Sequence, residues 1–238
     1  MSHTSQRRGL SPEHPGEEII VLAMIPGKYK RKQGIGEAMA ELAEKMLAHG
    51  PSNWLSRNFP DLDIPQLGSK QALVRLMSRF RPEATRALLL RLVAERSSVL
   101  TAIYTDPEKV IALLQDLQGE WLKRNREKGY PISIVLSGLF GDIHQCCGAT
   151  GLREHTYLHS LGFRGRTERL PAAGELELLT MCGHGLISVH LVQHLVKSVR
   201  QKQLTARQAA EEIAQPCICG IVNQDRAEKV FLRLAQFA

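Results

Sequence analysis

Glu18-Ile19-Ile20-Val21-Leu22-Ala23-Met24-Ile25 is a short apolar run rich in isoleucine and valine, closed by Pro26-Gly27. It is too short for a helix and ends in turn residues, so it reads as a buried strand. Downstream, Met39, Leu42, Ala43, Met46 and Leu47 recur at helical spacing and predict a helix over residues 36–49. Residues 51–68 hold three prolines and read as a loop. Two helical stretches are expected over 71–80 and 82–96, with Pro82 suited to a first turn. Asp106-Pro107-Glu108 repeats that start signal for a helix running to about Lys128, which Gly129 can end.

The second half changes character. Residues 132–136 (ISIVL) read as a second buried strand, and residues 175–181 (ELELLTM) alternate enough to predict a third. Helices are expected over 186–201, 205–214 and 225–237, with Thr205 and Gln208 forming a capping box. The mixture of helices with a few buried strands gives an α/β fold, or α+β with a helical subdomain over 69–128. The organisation read from this is a tail over 1–16, a mostly helical part with one strand over 17–130, and a Cys/His-rich α/β part over 131–238.

Hydrophobic content of 43% and charged content of 23% suit a packed core. No apolar run approaches the roughly 20 residues of a membrane span. Met1 to Gly16 is polar and lacks the apolar stretch of a secretory signal. The expected location is therefore a reducing cytoplasm, where clustered cysteines favour metal binding or catalysis over disulfides. A net charge of +7 permits anionic partners, whereas an aromatic content of 5% offers little for base stacking.

All five cysteines lie between residues 146 and 219, as Cys146-Cys147-Gly148, Cys182-Gly183-His184-Gly185 and Cys217-Ile218-Cys219-Gly220. Inert core cysteines would follow the apolar residues along the whole chain, so the clustering points to thiolates converging on one centre. The alternative is a set of unrelated buried or surface cysteines. Thiolates suit zinc, copper(I) and iron–sulfur clusters. The close C-x₂₋₄-C pairs of zinc ribbons are missing here, which favours an iron–sulfur cluster over zinc. Glycine after Cys147, Cys182 and Cys219 frees amides to hydrogen-bond the sulfurs. Adjacent cysteines seldom share a centre in an extended segment. The expected ligands are thus Cys147, Cys182 and Cys217, with Cys219 as a fourth ligand or a free thiol.

His184 stands two residues from Cys182 and is a candidate catalytic group. His155 and His159 share a face if their stretch is helical, and with Glu154, Tyr157 and Arg153 they are candidate site-lining residues. Asp142 and His144 share that possibility more weakly. His190 and His194 fall on the wet face of their helix. Between the first strand and helix, Lys28, Lys30, Arg31 and Lys32 lie among Gly27, Gly34 and Gly36. Such a loop can hold an anion at a helix start, so Lys28, Lys30 and Arg31 are candidate cofactor-binding residues. The competing reading is a solvated basic loop.

Met181-Cys182-Gly183-His184-Gly185 resembles the first catalytic segment of the proline racemase and hydroxyproline epimerase family. The resemblance implies that Cys182 is a thiolate base at a helix N-terminus, facing a second cysteine. It covers five residues, and that family's second motif, Asp-Arg-Ser-Pro-Cys-Gly, does not occur here.

The leading expectation is a cytoplasmic iron–sulfur protein of [4Fe-4S] type, acting as an oxidoreductase or lyase on a small anionic substrate or with an electron-transfer partner. The alternatives are a zinc-stabilised module that binds RNA or a nucleotide, and a cofactor-independent isomerase using Cys182.

Overall fold

The computed structural model describes residues 7–29, 31–54, 94, 98–160, 162–217 and 220–236. Four strands, β1 (Ile19–Met24), β2 (Asn53–Trp54), β3 (Val99–Tyr104) and β4 (Ser133–Ser137), form one sheet in the order β2-β3-β1-β4. Every neighbouring pair is antiparallel, with Ile19 opposite Tyr104 and Ile20 opposite Ser137. This is a mixed α and β fold, and β1 is its centre.

The run at 19–24 is continuously apolar because both faces of β1 are covered. Ile19, Val21 and Ala23 belong to one core cluster, and Ile20 and Leu22 to another. The first cluster is closed by α1 (Ile35–Ala48), α2 (Pro107–Gln118), α3 (Glu120–Glu127) and α4 (Phe140–Ala149). The second is closed by α5 (Ala173–Met181), α6 (Val189–Arg200), α7 (Ala206–Ala214) and α8 (Gln224–Gln236). Helix starts are set locally: Asp106 accepts from Glu108 N–H at 2.9 Å, Ser188 from Leu191 N–H at 3.1 Å, and Thr205 from Gln208 N–H at 3.1 Å. Arg207 ties α7 to α8 through Asp225 (2.6 Å) and Glu228 (2.9 Å), and Arg233 ties α8 to Glu177 of α5 (2.6 Å).

Several expectations change. Residues 175–181 are helical, not extended. Leu178 and Met181 are buried three apart, and Glu175 reaches back to the Ala172 N–H at 3.3 Å. The alternation in ELELL is a by-product of helix-forming Glu and Leu. The described residues of 17–130 hold three strands where one was expected, because Val99–Tyr104 pairs along the whole of β1 and Asn53–Trp54 adds to β3. The boundary expected at 130/131 falls inside the sheet, since β4 pairs with β1. The helix expected from 107 to 128 breaks at Gly119 into α2 and α3. The expected tail is tied down at two points, by the buried Arg7 side chain and by the Gly16 N–H, which donates to Asp142 Oδ2 at 2.8 Å, while residues 12–15 are exposed. The helices expected over 71–80 and 82–96 lie outside the described residues, except Ala94, which is helical and buried.

Candidate metal centre

Cys182 ends α5, and Cys217 follows α7. Both project into the cluster formed by α5 to α8, with relative exposures of 2% and 8%. Their side chains are in hydrogen-bond contact. The two loops that carry them are built alike. Gly185 N–H donates to Cys182 O at 3.0 Å, and Gly220 N–H donates to Cys217 O at 3.3 Å. The two glycines close these turns at φ 68° and 69°, a left-handed conformation that any side chain would strain. In sequence each segment reads Cys-x-(His or Cys)-Gly, with His184 at the position that corresponds to Cys219. Cys219 lies outside the described residues.

Contact with Cys217 and burial both push the Cys182 thiol well above its ordinary pKa, while the amides of His184 and Leu186 pull the other way by bonding the sulfur. Cys182 stands at the C-terminal end of α5, where the helix dipole disfavours a thiolate. The helix-start thiolate that the racemase resemblance implies is absent, because α6 begins only at Val189, capped by Ser188.

A buried polar frame holds both turns. Arg7 donates to Met181 O and, at 3.1 Å, to Ile221 O, so one guanidinium grips the residue before Cys182 and the residue after Gly220. Asn53 on β2 donates to Gly220 O (3.3 Å) and Val222 O (2.6 Å). Glu18 Oε1 accepts from Arg7 at 2.5 Å and from Arg226 at 3.0 Å. Burial alone would raise the Glu18 pKa, but the two guanidiniums outweigh it and hold the carboxyl below its usual range. Glu18 Oε2 and Gln224 Oε1 are buried without a hydrogen-bond partner among the described residues. Two guanidiniums thus share one buried carboxylate, and that of Arg7 also holds the carbonyl of the residue before Cys182.

Cys146 and Cys147 are elsewhere. They lie on α4, in the core cluster on the opposite face of the sheet from Cys182 and Cys217. The structure therefore does not bring Cys147 to the other thiols, as the converging-loop reading required. On a helix, adjacent residues can both face a core, and both do so here. Cys146 donates to Pro107 O at 3.8 Å, and burial pushes its thiol up to about 11. Cys147 is raised by burial and by Glu154 beside it. Asp142 is a strut for Gly16, not a site group.

The 153–159 stretch is not helical. Glu154, His155, Tyr157 and His159 are exposed, and none belongs to the cluster that holds Cys182. Glu154 Oε1 accepts from the His144 Nδ1–H at 2.8 Å. The side chain of His184 is exposed on its turn, as are His190 and His194 on α6. Among the described residues, no three His, Cys, Asp or Glu are arranged to hold a metal ion.

The basic loop is folded against α3. Lys32 Nζ donates to Lys128 O (2.8 Å) and Gly129 O (3.0 Å), and Lys28 lies over the Tyr29 ring at 5.0 Å. Arg31 is exposed, and Lys30 lies outside the described residues. The neighbouring cleft of about 250 Å³ is lined by Glu37 and Glu41 as well as Arg124 and Lys128, so it is no anion cradle.

The sequence reading missed Arg7, Glu18, Asn53 and Arg226. A carboxylate opening a buried strand was the available signal for Glu18, because such a charge needs a partner. Comparison with protein-family models, with curated proteins and with solved structures returned no match.

Proposed function

We propose that this chain is a metal-stapled module whose centre is one zinc ion held by Cys182, Cys217 and Cys219, with His184 filling the fourth position from the matching turn. The contact between Cys182 and Cys217, on two turns of the same build, carries this reading. Paired buried thiols with amides aimed at a sulfur suit a closed, tetrahedral Cys₃His site. Such a site joins α5 to the loop before α8, and Arg7 extends the staple to the N-terminal segment. Its place is a reducing compartment such as the cytoplasm, where the thiols stay available to metal. Among the described residues, no helix is long and apolar enough to cross a membrane.

An iron–sulfur cluster is the second reading, favoured by the amides that bond the Cys182 sulfur in an apolar setting. Metal and acid-labile sulfide analysis of anaerobically purified protein separates the two. Colourless protein with one zinc per chain and no sulfide supports the staple. Brown protein with iron and sulfide supports the cluster, and metal-free protein contradicts both.

A further inference from the structure

Between α4 and α5, the described residues of 150–172 hold one regular element, the short helical turn Thr167–Arg169. Tyr157 is 70% exposed, Leu158 58% and Phe140, at the start of α4, 43%. These rings are gathered. Phe140 stacks on His144 at 5.9 Å between centroids and meets the edges of Tyr157 and His159 at 6.1 Å each. The same segment carries Arg153, Arg164, Arg166 and Arg169, all exposed. None of the four pairs with a carboxylate of a described residue, whereas Arg7, Arg124, Arg207, Arg226 and Arg233 all do. Gathered at the surface, these rings present flat apolar faces, and the four arginines of the same segment outnumber its two carboxylates, Glu154 and Glu168.

We infer that this face binds single-stranded nucleic acid, with bases stacking on Tyr157 and Phe140 and phosphates meeting Arg153, Arg164, Arg166 and Arg169. Stacking on exposed rings requires bases that are not already paired, and arginines supply both phosphate contacts and cation–π contacts. The segment offers no helix to enter a major groove, so a duplex gains only the phosphate part. The overall charge of +7 acts in the same direction. Phe140 opens α4, whose cysteines are buried on the other side of the sheet from Cys182, and no residue of this face is a proposed metal ligand, so the inference stands or falls independently of the metal.

The test is fluorescence anisotropy with the full chain as purified, titrated into a labelled mixed-sequence single-stranded RNA, the same strand as DNA, and its duplex. The single strands should bind more tightly than the duplex, with affinity falling as salt rises. Tyr157→Ala and Phe140→Ala should each weaken single-strand binding about tenfold or more. Tyr157→Phe should restore it, because the ring is what stacks. Arg164→Gln with Arg166→Gln should weaken binding and flatten the salt dependence, while Arg31→Gln should change neither. No binding to any strand overturns the inference. So does equal affinity for strand, duplex and heparin with the aromatic variants unchanged, since that is attraction to any polyanion.

Discussion

The Cys182 side chain meets that of Cys217 on the α5–α8 side of the sheet, while Cys147 is buried on the other side. The sheet between them decides which thiols act together. Cys182→Ser and Cys217→Ser should each strip most of the bound metal. Cys146→Ser and Cys147→Ser should leave metal content at the wild-type level and cost only a modest amount of stability. Metal-to-protein ratios of the four variants, measured by elemental analysis, check this.

In sequence, His184 stands at the position that corresponds to Cys219. Its backbone amide also supports the Cys182 sulfur, and substitution leaves that amide in place. His184→Ala removes the one nitrogen ligand of the proposed site and leaves three thiolates, so metal should be held more weakly by more than the about 10–100-fold that loss of an outer-shell group costs. Competition with a chromogenic chelator measures this. An unchanged affinity returns His184 to the surface.

Glu18 neutralises two buried arginines, and removing its charge leaves both uncompensated. Glu18→Gln should destabilise the protein by about 3–5 kcal/mol, read from urea unfolding. The folded pKa of Glu18 lies below the ordinary 4.5. Its stabilisation is therefore fully present above that value and is lost as pH falls through the lowered folded pKa. Wild-type stability should fall on acidification below about pH 4.5, and the Glu18→Gln curve should be flatter there. Parallel curves for the two proteins would contradict this role.

Asp106 caps α2 by accepting the Glu108 N–H. Asp106→Ala should cost about 1 kcal/mol in thermal or urea unfolding and leave metal content untouched. A far larger loss would mean that α2 depends on more than its cap.

The central strand was legible because a strand covered on both faces is apolar throughout. The helices at 189–200, 206–214 and 224–236 were legible because each buries one stripe, and Thr205 marks a start. Val99–Tyr104 escaped notice between two helical stretches, although Val99, Thr101 and Ile103 alternate in β-forming residues. The antiparallel pairing of β1 with β3 and β4 is a tertiary fact that no local pattern encodes. Cysteine clustering along the chain likewise could not reveal that a sheet separates Cys147 from Cys182. The frame of Arg7, Asn53 and Arg226 joins distant segments, and nothing local marks those residues.

The claim that matters most is that one metal ion sits between the Cys182 and Cys217 turns. X-ray absorption at the zinc edge of protein purified without added metal tests it directly. The account predicts a four-coordinate first shell with sulfur at about 2.3 Å as the majority ligand and one nitrogen at about 2.0–2.1 Å. A shell of nitrogen and oxygen alone, or a sulfur shell that persists in Cys182→Ser, would contradict it.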